Sequence, residues 1–319
     1  MDQSHIDRYK SLDFFARQVV EGFITGRHKS PFHGFSVEFS DYRQYNPGES
    51  TRNIDYRLYG RTDRLYVKQF EEETNLRCQI LIDQSSSMLY PLECHGDIEH
   101  PNKLTFAIYA AAVLVELLHR QRDAFGLTLF SQGPDLNTPC RSSRLHQQYL
   151  LSELEKLLAP NPTNKSVNQP LSNSKTPPLT TNIPASIHLM AEQLHRRSLV
   201  VLFTDALVHP DQQEPLFDAL RHLRHNKHEV ILFHTYDLPH EVNLDFDTRP
   251  HLFIDLETHR QLRLQPSQVA DAYRRQMTSL FDSLRLRAMQ YRIDYVPIDV
   301  TQGFHQLLLP FLLKRSKSH

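Results

Sequence analysis

Hydrophobic and polar positions divide the chain into two regimes. Up to residue 75 the pattern is short-ranged and mixed. Leu12, Phe15, Ala16 and Val19 recur at helical spacing behind Ser11, which predicts an amphipathic helix over 11–21. Phe35, Val37 and Phe39 alternate with Ser36, Glu38 and Ser40, the period of a half-buried strand. Asn46-Pro47-Gly48 marks a turn, and 54–59 and 65–70 read as further extended segments. From residue 76 onward, strands and helices alternate. Short apolar runs predict strands over 76–83, 124–130, 199–203, 229–234, 252–256 and 293–298. Helical periodicity covers 103–122, 145–158, 183–196, 213–226, 267–289 and 304–313. Residues 159–180 are rich in Pro, Asn and Ser and read as a flexible surface loop. Such alternation argues an α/β domain with a doubly wound, mostly parallel sheet over 76–319, preceded by a small α+β extension over 1–75.

Composition narrows the class. With 319 residues the chain can bury a sizeable core without disulfides or metal. A net charge of −1 leaves no global field to attract nucleic acid or an anionic membrane. Cys78, Cys94 and Cys140 have no framework spacing, which fits a reducing compartment. No apolar run approaches the roughly 20 residues of a membrane span, and no secretory leader precedes the first helix. The expectation is a cytoplasmic protein without membrane insertion. Nine glycines are too few for Gly-rich phosphate loops.

Candidate chemistry gathers where strands end. Ile80-Leu81-Ile82 is a buried run closed by Asp83, and Ser85 and Ser87 follow at alternate positions. One carboxylate and two hydroxyls are hard oxygen ligands of the kind Mg²⁺ favours. The same residues also suit a helix start, where Asp and Ser satisfy free N–H groups. A second apolar strand, Leu199 to Phe203, runs into Thr204-Asp205. In open parallel sheets ligands gather outside the carboxyl ends of strands, where strand order reverses. If Asp83 and Asp205 flank that point, two carboxylates face one crevice and call for a cation. Thr180-Thr181-Asn182 precedes a helix and offers a further hydroxyl.

Asp83-Gln84-Ser85-Ser86-Ser87, then Thr181-Asn182, then Thr204-Asp205 resembles the metal-ion-dependent adhesion site of von Willebrand factor A domains. The resemblance implies that Ser85 and Ser87 bind Mg²⁺ (or Mn²⁺) directly. It implies that Thr181, Asp83 and Asp205 bind it directly or through water. Thr180 stands beside Thr181 where family sites often carry Gly. The flanking stretches His33-Gly34-Phe35-Ser36-Val37-Glu38-Phe39, Arg43-Gln44-Tyr45, Arg52-Asn53-Ile54-Asp55, Lys103-Leu104 and Gln121-Arg122-Asp123-Ala124 are similar to a bacterial domain-of-unknown-function family, number 58. Departures are Glu49-Ser50 where acidic Asp is usual and Tyr56 where Trp is usual. Genes of that family commonly neighbour those of MoxR-type AAA+ ATPases.

The resemblance implies a metal-dependent protein-binding adaptor, not an enzyme. A partner Asp or Glu carboxylate would complete the metal's coordination, and a MoxR-type ATPase is the implied partner. The alternative is a hydrolase that uses the same cation as Lewis acid, with His209, His95 or His100 as base. The chain lacks G-x-S-x-G, a phosphate-binding P-loop and H-E-x-x-H. Cys94, His95, Asp97 and His100 match no closed zinc spacing and read as free loop residues.

Overall fold

The computed structural model describes residues 11–25, 39–44, 56–70, 76–131, 133–159, 183–195, 197–208, 210–257, 260–304, 306–308 and 310–311. It divides into two compact units, residues 1–20 with 76–319, and residues 21–75. In the smaller unit, β1 (Phe39–Gln44) and β2 (Tyr66–Phe70) form an antiparallel pair, and α2 (Tyr56–Thr62) lies between them in sequence. The extended segment expected over 54–59 is therefore corrected to a helix from Tyr56. A six-residue window spans fewer than two helical turns, too few for a period of 2 to be told from one of 3.6. The expected strand over 35–39 lies, before Phe39, outside the described residues, and so does the expected loop after Ala159.

The larger unit opens with the part of α1 (Leu12–Thr25) up to Val20 and is built on a six-stranded sheet. Its strands are β3 (Arg77–Asp83), β4 (Ala124–Phe130), β5 (Pro134–Asn137), β6 (Leu199–Thr204), β7 (Glu229–Tyr236) and β10 (Asp294–Asp299). The order is β10-β7-β6-β3-β4-β5, parallel throughout except for β5, which runs antiparallel at one edge. The expected strand near 252–256 does not join it. His251–Ile254 forms β8 and pairs with β9 (Gln261–Leu264) in a separate hairpin.

Sequence explains the layering. β6 is Leu-Val-Val-Leu-Phe-Thr and buried at every position, as a central parallel strand covered on both faces must be. Val200, Leu202, Val230 and Leu232 pack with Ile187 and Met190 of α5 (Ile183–Gln193), Leu220 and Leu223 of α6 (Pro210–His225), and Leu284 of α7 (Pro266–Gln290). By the alternation of a strand, Val201 and Phe203 point to the other face. There α3 (Lys103–Arg120) packs on β3 and β4 and is itself backed by α4 (Arg144–Leu158). From Lys103 to Leu118 every residue of α3 is buried, so it is an internal helix rather than an amphipathic one. Asn102 caps it by accepting the Thr105 N–H at 2.8 Å.

One polar layer pins the β3–β4 register. The buried Gln79 amide donates to the Thr128 hydroxyl at 2.8 Å and to the Thr138 carbonyl at 3.1 Å, and its oxygen accepts from the Cys140 thiol. Gly126 makes room for this: an added Cβ would meet Gln79 Oε1 and stand 2.8 Å from the Thr138 carbonyl. Gly126→Ala is accordingly expected to lower stability by about 1–3 kcal/mol through overpacking. Denaturant unfolding checks it, and an unchanged midpoint would show that the Gln79 layer yields freely.

Candidate metal centre

Strand order places the candidate residues. After β3 the chain moves outward to β4 and β5, then returns to β6 on the other side of β3, so the switch point lies between β3 and β6. Ile82 pairs with Phe203, which sets Asp83 beside Thr204 and Asp205 at the carboxyl ends of both strands.

Asp83 is fully buried. One carboxylate oxygen accepts the Ser85 N–H at 2.9 Å, and the other accepts the Thr204 hydroxyl at 2.6 Å. It does not cap the long helix that follows, since Asn102 does that. Beyond it, the Ser85 and Ser87 hydroxyls stand 3.0 Å apart, and the Ser87 side chain is near enough to Asp205 to favour its ionised carboxylate. Asp205 accepts the Leu207 N–H at 3.1 Å, and Ala206, between them, takes the left-handed conformation at φ 50°. This tight turn fixes the carboxylate at the end of β6.

Two residues to which the sequence reading gave no role complete the cluster. The Lys103 ammonium, fully buried, donates to Asp205 at 2.8 Å and pairs with Glu241 on the short turn Leu238–Val242. Glu241 is itself anchored by the Asp237 N–H at 3.0 Å. A signal for Lys103 existed: a cation in the first helical turn opposes the helix dipole, so it needs an acidic partner elsewhere. Nothing in sequence pointed to Glu241, 138 positions away.

Charge balance differs between the two aspartates. Burial pushes Asp205 up, but the Lys103 ammonium pulls it below the ordinary carboxylate range. Asp83 has no such partner, so burial and then the charge of Asp205 push it up to about 7, against its hydrogen bonds from Thr204 and Ser85. Burial opposes the Lys103 charge, but Asp205 and Glu241 hold its proton above the ordinary range. Behind the cluster, His234 Nε2 donates to the Asp205 carbonyl at 2.8 Å, and Nδ1, 2.7 Å from Tyr295, accepts its hydroxyl. Burial lowers its pKa to about 4.

The donor set fits a hard divalent ion. It offers two carboxylates and two hydroxyls, with Asp83 still lacking a counter-charge. Thr180, Thr181 and His209 lie outside the described residues. Among the described residues no three His, Cys, Asp or Glu side chains gather as a metal centre, so the candidate rests on the mixed set Asp83, Ser85, Ser87 and Asp205. His95 instead contacts the Leu157 carbonyl at 3.0 Å.

Fold and cluster define an α/β protein with a mostly parallel sheet and an acidic, hydroxyl-lined centre at its switch point. The chain belongs to the family described as protein of unknown function DUF58, which it matches over residues 41–281. It is 25% identical over 142 residues to the uncharacterized protein Rv1480 of Mycobacterium tuberculosis, covering 44% of this chain and 43% of that one. The chain thus spans less than half the length of this curated relative. Among solved structures it is similar to the conserved hypothetical protein BatB of Bacteroides thetaiotaomicron, at TM-score 0.43 and 15% identity over 76% of this chain and 100% of that one. It is also similar to an aerotolerance-related membrane protein of Bacteroides fragilis, at TM-score 0.43 and 16% identity over 75% and 97%. Likeness at this level carries no argument about activity. The cytoplasmic expectation is nevertheless corrected, because a neighbour is described as a membrane protein; among the described residues no helix is long and apolar enough to cross a membrane.

Two outcomes follow from the charges. His234 refuses a proton that the unfolded chain accepts below pH 6.5, so its contribution is present above that value and lost as pH falls toward about 4. Against a His234→Gln variant, the wild type should lose on the order of 3 kcal/mol across that window. Denaturant melts at stepped pH check this, and parallel curves would mean that the folded protein protonates His234. Lys103→Met leaves Asp205 and Glu241 buried without their cation and should cost roughly 3–5 kcal/mol. Thermal melts with and without Mg²⁺ check it, the ion being expected to recover more stability in the variant than in the wild type.

Proposed function

We propose that this chain is a protein-binding adaptor of the von Willebrand factor A type, whose centre takes Mg²⁺ or Mn²⁺. The observation that carries the reading is the meeting of Asp83, Ser85, Ser87 and Asp205 at the switch point between β3 and β6. These four residues would hold the ion, with Thr181 as the fifth candidate. Bound there, the ion supplies an open position for a carboxylate oxygen from another protein.

The chain's own groups prepare that role. Thr204 and the Ser85 N–H orient Asp83 by occupying one lone pair on each oxygen. The Asp205 turn and His234 fix the neighbouring strand end. With both nitrogens engaged, His234 is a positioning group and not a free base, which favours binding over hydrolysis. The proposed partner presents an Asp or Glu at its docking surface, and a MoxR-type AAA+ ATPase is the partner that the sequence resemblance implies.

Capture of such an ATPase by the immobilised protein tests the reading. Capture should require Mg²⁺ or Mn²⁺, stop with chelator, and weaken by roughly tenfold or more in Asp83→Ala. Equal capture under all three conditions would overturn it.

A further inference from the structure

The opposite edge of the sheet carries a second cluster, independent of the metal centre. Where helices turn into parallel strands, the chain places Arg122 before β4, Arg197 before β6, Lys227 before β7 and Arg292 before β10. All four are in the left-handed conformation, at φ between 56° and 63°. After α3 and α7 the turn is the same: the Asp123 N–H bonds back to Leu118 and the Ile293 N–H back to Ala288, while Arg122 and Arg292 occupy the position that glycine normally takes. A non-glycine residue there costs about 1–2 kcal/mol. The chain bears that cost four times, each time with a cation. A helix C-terminus favours positive charge, but only by about 0.3–1 kcal/mol at an exposed position, which does not exceed what glycine would save.

Three of these residues converge. Arg197, Lys227 and Arg292, joined by Arg224, line a cleft of about 570 Å³ at the amino ends of β3, β6, β7 and β10. Leu76 and Leu199 give it an apolar floor, and Glu229 is its one acid. Arg224 is braced by donating to the His228 carbonyl at 2.6 Å. Four cations against one carboxylate, in a chain of net charge −1, make a local anion trap. Guanidinium groups match phosphate oxygens in pairs, and the volume lies within the range of small-ligand sites.

We propose that this cleft binds a ligand carrying two or more phosphate groups, with Arg197, Lys227 and Arg292 as its principal contacts and strained backbone retained to aim them. A strand of six residues separates it from Asp205 by about 20 Å, so the two sites take different ligands.

The test uses the full chain in chelator, so that the metal centre plays no part. Tripolyphosphate titrated calorimetrically at low ionic strength should bind at one saturable site. Arg197→Gly/Lys227→Gly/Arg292→Gly should lose at least tenfold in affinity while melting at or above the wild-type temperature, because the substitutions relieve strain. Arg197→Gln/Lys227→Gln/Arg292→Gln keeps the strain and should lose binding equally. Asp83→Ala, and Arg144→Gln/Arg263→Gln/Arg275→Gln at exposed positions elsewhere, should bind as the wild type does. Vesicles containing phosphatidylglycerol separate the sources: adsorption that tripolyphosphate displaces and the triple variants lack assigns a lipid headgroup, and tripolyphosphate binding without adsorption assigns a free phosphate ligand. No saturable binding by the wild type, or binding retained in either cleft variant, would overturn the proposal.

Discussion

Two carboxylates buried at neighbouring strand ends demand positive charge, and the carboxyl edge of this molecule is arranged around how that demand is met. The β3–β6 register alone brings Asp83 and Asp205 together. In a medium of low dielectric constant their repulsion is strong, and relief comes either from a proton or from a cation. Lys103 relieves Asp205. It does so from a helix whose every residue through Leu118 is buried, so the ammonium is held where it stands. Asp83 receives hydrogen bonds but no charge and stays poised near neutrality. The centre is thus half compensated: rigid at Asp205, chemically open at Asp83.

That asymmetry couples the centre to its rim. Lys103 joins the start of α3, the turn after β6 and the turn at 238–242 through one nitrogen. The same turn is tied to α7, where the Tyr273 hydroxyl donates to the Glu241 carbonyl at 2.8 Å. On the proposed reading, an ion entering beside Asp205 competes with Lys103 for one carboxylate. Weakening that pair leaves Glu241 as the remaining counter-charge of Lys103 and removes the repulsion that Asp205 exerts on Glu241. Occupancy of the centre and the position of the 238–242 turn are linked by electrostatics, without need of a longer pathway.

Much of this was legible in sequence, and the reasons for success and failure are physical. Runs such as Leu199 to Phe203 admit one interpretation, a strand buried on both faces, and the Asp that ends each run marks its own place at the sheet edge. β5 has no counterpart in the sequence pattern because Pro134-Asp135-Leu136-Asn137 does not alternate; an antiparallel edge strand tolerates proline where a central one does not. β8 lies outside the main sheet because local alternation cannot say which partner a strand will take, and its partner is the nearby 261–264. Spacing singles out Asp83, Ser85, Ser87 and Asp205, which the fold brings together, but it is silent on Lys103 and Glu241. Their pairing is set by packing across 138 positions, and only the awkwardness of a lysine opening an apolar helix hinted at it.

The two edges of the sheet differ in their charge. Strand ends carry Asp83, Asp205 and Asp299, while strand beginnings carry Arg77, Arg122, Arg197, Lys227 and Arg292 beside Asp123, Glu229 and Asp294. Part of this difference follows from helix dipoles, since every crossover helix points its negative end at the strand beginnings. Dipoles do not explain why the cations sit at left-handed positions, where glycine would relieve the backbone and a cation one residue earlier would meet the same dipole. Place does: three of the four turns adjoin one another, and their cations line one cleft. Strain kept at three adjoining turns, aimed into one cleft, is therefore better explained by what the cleft holds than by how the chain folds.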